Sequence, residues 1–288
     1  MVKETLSIDE LEKLSYYDFM AYLNVPFFVI GGIESTERLA KLCAISKGTK
    51  VLVVGCGTGN NALHLAKTVG CDIIGVDIAE KMVERATQIA EEEKNTDKAQ
   101  FLVGDAYNLP FEDNTFDVVL TEFTSQFLDI DKAFNEFARV TKPGGYVGLN
   151  ELFRKNELPD EVLEKIKEGE KIVQELTKLP FMLYTPAYWK NALEAASLNV
   201  VTLEEHINPT KGASRKILKD MGGKRVMSAM GQLLIVSMQS KKLRHRFFLL
   251  SKAKRGLLRH RYTKNYVGYI LCAAKKPEKL FIYPSLCK

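Results

Sequence analysis

From residue 50 onward, short apolar runs alternate with amphipathic stretches. Residues 51–54 read Val-Leu-Val-Val, with no polar interruption. Residues 60–69 carry helical spacing. Residues 73–76 then read as a strand, 79–93 as a helix, and 101–103 and 118–120 as two more strands. Between 131 and 140, Phe134, Phe137 and Ala138 recur at helical intervals. Lys142-Pro143-Gly144-Gly145 should stop that helix and launch a strand at 146–149. Strands without alternation are buried on both faces, and helices between strands make the neighbours parallel. The pattern predicts a doubly wound, mostly parallel α/β sheet.

The flanks read differently. Residues 1–47 are amphipathic and helical, with aromatics at Tyr16, Tyr17, Phe19, Tyr22, Phe27 and Phe28. A long helix is expected over 159–178. Thr185-Pro186 starts another, with Thr as N-cap and Pro in the first turn. That helix should run to about Leu198, with Asn199 in the left-handed position that closes it. Strands are expected at 200–203 and at 266–274.

Charge changes this picture more than composition does. Hydrophobic residues make up 46% and charged residues 27% of 288, an ordinary soluble balance. The net charge of +5 conceals an asymmetry: residues 211–264 hold sixteen Lys and Arg against one acid, Asp220. That segment carries +15 and leaves the rest at −10. Five cysteines without metal-ligand spacing suit a reducing compartment. No leader-like start or membrane-length apolar run is seen, so a cytoplasmic location is expected.

Candidate chemistry gathers at the strand ends. Val54-Gly55-Cys56-Gly57-Thr58-Gly59-Asn60 joins the first strand to a helix. Such a turn exposes backbone N–H groups and lets a ligand approach the main chain. Asn60 stands where a dinucleotide fingerprint would need a third spaced glycine. Asp77 ends the second strand, where an acid can accept from ribose hydroxyls or cap the next helix. Gly104-Asp105-Ala106 ends the third strand, and Thr121-Glu122 ends the fourth.

In this order, residues 48–151 resemble the class I S-adenosylmethionine-dependent methyltransferases. The resemblance rests on the GxGxG turn, Asp77, Gly-Asp-Ala-x-x-Leu-Pro-Phe at 104–111, Phe-Asp-Val-Val at 116–119 and Lys-Pro-Gly-Gly at 142–145. It is strongest to the small-molecule branch of phosphoethanolamine and quinone methyltransferases, whose Gly-Gly-x-x-Ala-Thr stretch is similar to residues 31–36. The resemblance implies a seven-stranded sheet with an antiparallel last strand, here 266–274. It also implies S-adenosyl-L-methionine as cofactor. The cofactor would be held by Gly55, Cys56, Gly57 and Gly59, by Asp77 on the ribose, and by Ile78, Asp105 and Ala106 around the adenine. Thr121 and Glu122 would face its methionine end, and Gly32 would lie over it. The chain would divide into a helical cover (1–47), a methyltransferase core (48–206), a basic helical insertion (207–264) and the last strand with its tail (265–288).

Methyl transfer from a sulfonium is an in-line displacement, and a base is needed only if the acceptor must lose a proton. Glu122 and Glu151 are the candidates for that base, or for an acceptor ligand, with a cap or solvated carboxylate as the plain alternative. Tyr16, Tyr17 and Tyr22 could line the methyl pocket or pack in the core. His64 reads as structural, His206 as a strand-end residue near the cleft, and Asp117 as structural at the far end of the sheet. No metal site is expected. Thr121-Glu122-Phe123-Thr124 lacks the Asn/Asp-Pro-Pro-aromatic stretch of nucleobase amino-methyltransferases. In the insertion, Leu243, Phe247, Leu250, Leu257 and Leu258 should form one stripe edged by cations. Such a segment could be a solvated lid, meet an anionic or lipid-like small acceptor, or lie on a membrane through 241–261. It could also bind RNA, although Phe247, Phe248 and Tyr262 are few aromatics for that partner. The leading expectation is methylation of a small, anionic or partly lipophilic acceptor. The alternatives are a nucleic-acid-directed enzyme and a non-catalytic cofactor-binding protein.

Overall fold

A computed structural model describes residues 6–23, 31–207 and 223–278. Phe27, Phe28 and the first part of the basic insertion lie outside the described residues. Seven strands form the sheet: β1 (Lys50–Val54), β2 (Asp72–Asp77), β3 (Ala99–Val103), β4 (Phe116–Glu122), β5 (Thr141–Arg154), β6 (Asn199–Ile207) and β7 (Val267–Lys275). Their order is β3-β2-β1-β4-β5-β7-β6, and only the pairings of β7 are antiparallel. This is the expected sheet, reversed at β7.

Both faces are covered, which is why residues 51–54 show no polar break. Leu52 and Val54 point into a core with Phe116, Phe134, Phe137, Phe153 and Trp189. Val51 and Val53 point the other way, into one with Leu39, Leu63, Leu65, Val118 and Leu120. Five helices pack around the sheet: α3 (Gly32–Leu42), α4 (Asn60–Val69), α5 (Glu80–Glu92), α6 (Ile130–Val140) and α8 (Pro186–Ala195). Thr185 caps α8 as expected, its hydroxyl accepting the Tyr188 N–H at 3.2 Å. The end of α8 differs. The left-handed residue is Ser197 (φ 61°), not Asn199, which already belongs to β6. Turning two residues earlier drives Leu198 into the core, where it is fully buried. Lys142–Gly145 also differs: α6 has already ended at Val140, and these residues lie inside β5, where its register against β4 shifts between Phe116 and Val118. Lys142 Nζ donates to Asp117 there at 2.6 Å, so Asp117 pins the far end of the sheet.

The remaining helices build a cap: α1 (Ile8–Lys13), α2 (Tyr16–Tyr22), α7 (Asp160–Thr177), α9 (Gly223–Gln239) and α10 (Lys241–Lys254). Leu11, Phe19, Leu176, Leu233, Val236, Leu243 and Leu249 share one apolar cluster with Met82 of α5. Described residues of the N-terminal cover, of the insertion and of the end of α7 therefore share one apolar cluster. Ser240 caps α10 and donates to Glu12 at 2.6 Å, while Arg246 donates to the Glu12 carbonyl at 3.1 Å. The single stripe expected through the insertion is broken. Leu243, Phe247 and Leu250 join the cluster of Leu11, Phe19 and Leu176, but a wide helical turn at Arg255–Arg259 carries Leu257 and Leu258 into a second cluster with Val162, Ile166, Phe181 and Val267. Leu257 sits against Gly169 of α7, where any Cβ would come within 2.5 Å of its methyl.

Because the cap is held by a small apolar cluster, it should open locally before the sheet does. Leu243→Ala together with Leu249→Ala should raise tryptic cutting between residues 207 and 264 about tenfold or more, as expected from a local loss of a few kcal/mol. Arg244→Gln, on the exposed side, should not. Equal cleavage rates in limited proteolysis would show that the cap does not depend on this cluster.

Candidate functional site

At the carboxyl end of β1 the chain turns between β2 and β4. The Gly55 N–H donates to the Val76 carbonyl at 2.8 Å, with Gly55 at φ 71°. A Cβ at Gly55 would overlap the side chain of Thr124, so both conformation and space require glycine there. Two residues on, the Gly57 N–H donates to Asp77 Oδ2 at 2.8 Å. The other oxygen of Asp77 accepts the Ala79 N–H at 2.9 Å. Asp77 thus ties the glycine turn to the start of α5. Burial raises its pKa, and the backbone N–H groups of Ala79, Gly57 and Ile78 oppose that rise. A carboxylate has about four acceptor positions, so these donors do not exhaust it.

That cavity has a volume of about 290 Å³. Gly55, Cys56, Gly57, Asp77, Ile78, Asp105, Ala106 and Glu122 all line it, eight of the residues singled out from the sequence. Gly32, Gly59 and Thr121 do not. Gly32 starts α3 and reaches the site only through its neighbours Ser35 and Thr36. Gly59 sits behind the turn against Phe101. Thr121 is fully buried and points to the other face of β4. The sequence reading did not single out Asn61, Phe127, Leu128 and Leu179, which also line the cavity. Of the three tyrosines considered, Tyr17 reaches the cavity, its ring edge-on to Phe127 at 6.0 Å, and Tyr16 packs in the cap. Burial and the nearby Asp77 charge raise the Tyr17 hydroxyl above the usual tyrosine range.

The two candidate carboxylates part company. Glu122, the last residue of β4, is buried and lines the cavity. It accepts from Thr36 Oγ1 at 2.8 Å, Asn150 Nδ2 at 3.0 Å and Asn61 Nδ2 at 3.2 Å. Burial raises its pKa, and these three neutral donors hold it back. No cation pairs with it among the described residues. Glu151 was expected at the strand end, yet β5 continues to Arg154. Being next to Asn150 on a strand, it points to the opposite face. There it accepts from the Ser125 N–H at 2.9 Å and from Thr124 N and Thr121 Oγ1 at 3.3 Å. It does not line the cavity, and burial pushes its pKa up to about 7.

His206 is also misplaced by the sequence reading. It lies on β6 at the far edge of the sheet, stacked on Tyr269 with centroids 4.6 Å apart. His64 bonds Glu37 at 2.9 Å, a structural role. Among the described residues no cluster of His, Cys, Asp and Glu could hold a metal ion, and no helix is long and apolar enough to cross a membrane.

Comparison with known proteins fits this geometry. Residues 52–149 match the family model of a methyltransferase domain. Sterol 24-C-methyltransferase ERG6B of Gibberella zeae is 41% identical over 114 residues, covering 39% of this chain and 30% of that protein. Norajmaline N-methyltransferase of Rauvolfia serpentina is 36% identical over 128 residues, 44% of this chain and 43% of that one. The chain thus spans under half of the length of these two relatives. Among solved structures, phosphoethanolamine N-methyltransferase 2 of Haemonchus contortus with S-adenosyl-L-methionine superimposes with a TM-score of 0.66 at 21% identity, covering 96% of this chain and 61% of that one. The [4+2]-cyclase SpnF superimposes at 0.64 and 20% identity, covering 85% and 82%. Likeness at this level shows the fold alone, and a cyclase shares it. With the matched domain, the GxGxG turn and the sheet order taken together, residues 52–149 form a methyltransferase domain of the class I S-adenosylmethionine-dependent type.

Proposed function

We propose that the chain transfers a methyl group from S-adenosylmethionine to a small, partly lipophilic acceptor. The observation that carries this reading is Glu122: a buried carboxylate with three neutral donors and no cation, open to a cavity beside a glycine turn. A buried charge without a counter-ion is costly, and a ligand bringing a positive charge relieves that cost. The methionine end of the cofactor carries such charges. Asp77, held by backbone N–H groups, has acceptor capacity left for a further donor such as a ribose hydroxyl. Gly57 has no side chain in the way, and Ile78 offers an exposed apolar surface at the rim for a flat ring. These residues fit the cofactor that the family implies, which supplies an electrophilic methyl on sulfur. The protein's task is to align an acceptor with it and to exclude water.

The acceptor side of the reading rests on the wall. Tyr17, Phe127, Leu128 and Leu179 are apolar or aromatic, and no Lys, Arg or His is among the described lining residues. The cations of α10 therefore give no support to an anionic group inside the cavity. A partly lipophilic acceptor suits these side chains. Relatives named for sterol methylation and neighbours named for geranyl diphosphate methylation are in keeping with it.

Calorimetry should show S-adenosylmethionine and its demethylated product binding and NAD not binding. The reverse preference would end this reading. Asp77→Ala should weaken cofactor binding by about 2–4 kcal/mol, through loss of a charged acceptor. Unchanged affinity in a folded variant would leave Asp77 as a tie between the glycine turn and α5.

Glu122→Gln should also weaken cofactor binding, by about 1–3 kcal/mol. Glu151→Gln tests a different property. A carboxyl whose pKa rises on folding holds its proton longer in the native state than in the unfolded chain. Stability must then fall as pH rises from the ordinary carboxylate value toward about 7, and level off above it. Glu151→Gln should remove that decline and add about 1–3 kcal/mol at pH 8, with little change near pH 5. Urea melts at the two pH values measure this. A parallel offset at both would show that Glu151 ionises normally.

A further inference from the structure

Helix α9 is apolar on two opposite faces. Ala229, Leu233 and Val236 are buried against the cap. Met227 (74% exposed), Leu234 (65%), Ile235 (57%) and Met238 (76%) lie on the other side in water. Their spacing of seven, one and three residues keeps all four on one helical face. From Met227 to Met238 the stripe is about 16 Å long at about 1.5 Å per residue. A helix that only covers a core would carry polar side chains there.

The helix packed next to this stripe-bearing helix is cationic on its exposed side. No Asp or Glu occurs from residue 223 to 254. On α10, Lys241, Arg244, His245, Phe248 and Lys252 are exposed and share a face opposite the buried Leu243. Glu12, 3.9 Å from Lys242, and Glu175, 3.8 Å from His245, are acids that face α10. An exposed aliphatic stripe beside cations matches a surface that is both apolar and negative. A nucleic acid has no use for Leu234, Ile235 and Met238.

We propose that the outer face of α9, flanked by the cations of α10, seats the protein on an anionic lipid bilayer. The contact inserts the α9 stripe at the headgroup boundary without spanning. It moves the membrane contact expected at 241–261 onto the preceding helix, because the apolar side chains Leu243 and Leu249 are spent inside the cap. It is independent of the identity of the methyl acceptor.

The test is flotation of the full chain with vesicles of phosphatidylcholine, alone or containing phosphatidylserine, at low and high salt. The parent should bind the phosphatidylserine vesicles, more weakly as salt rises. Leu234→Gln, Ile235→Gln and Met238→Gln together should lower partitioning about tenfold or more. Lys241→Gln, Arg244→Gln and Lys252→Gln together should lower it about fivefold per cation and remove the preference for phosphatidylserine. If the first variant melts below the parent, Met227→Gln with Met238→Gln takes its place. The proposal is overturned if the parent ignores phosphatidylserine vesicles, or if the apolar variants float like the parent. It is equally overturned if sedimentation shows this face pairing two copies while vesicle binding is absent.

Discussion

No side chain fits between the end of β1 and Thr124, and the site is organised around that close approach. Because Gly55 can turn there with positive φ, the chain leaves the middle of the sheet at once and enters α4. The turn brings the Gly57 N–H to the end of β2, where Asp77 takes it. It also sets Thr124 and Glu122, at the end of β4, beside the same loop. Three strand ends therefore meet at one point with their backbone donors and carboxylates turned outward. That convergence follows from the strand order: β1 lies between β2 and β4, and the helices after β1 and β4 depart on opposite faces.

Strand alternation decides what each acid does. Asn150 and Glu151 are neighbours in sequence, but one reaches across to Glu122 and the other faces Thr121 and Ser125. Glu122 keeps an open side and three neutral donors, so its carboxyl group faces the cavity. Glu151 has its acceptors turned inward and its surroundings dry, so the proton is retained well above the usual carboxylate range. Two glutamates near the ends of adjacent strands thus occupy different environments, as a period of two requires.

Much of this was legible in the chain. Val51–Val54, Asn60–Val69 and the glycine turn carry their structure locally: a run buried on both faces, a helix between glycines, a spacing that admits a close ligand. What was hidden depends on distant partners. Leu198 has to be buried, so the turn after α8 falls at Ser197 rather than Asn199, and no local rule says so. Leu257 leaves the expected stripe because Gly169, far off in sequence, offers it a place. Tyr17, Phe127 and Leu179 line the cavity only once α2, the segment after β4 and the end of α7 are brought together. The register of β5, which puts Glu151 inside the sheet, is fixed by its pairing with β7 from Tyr146 to Arg154.

The charge asymmetry acquires a spatial meaning in the fold. The described cavity holds acids, Asp77, Asp105 and Glu122, and no basic side chain lines it. The cations of α10 instead project from the outside of the cap, with Glu12 and Arg246 closing its inner side. Exposed charges act over about 10 Å before salt screens them. The basic face can attract the molecule to a negative surface, and the neutral and acidic wall can choose what enters. With the proposed bilayer contact, selection of an acceptor and placement of the protein rest on different surfaces of the same cap. Helix α9 joins them: its buried side holds the cap together, and its outer side is the apolar face beside those cations.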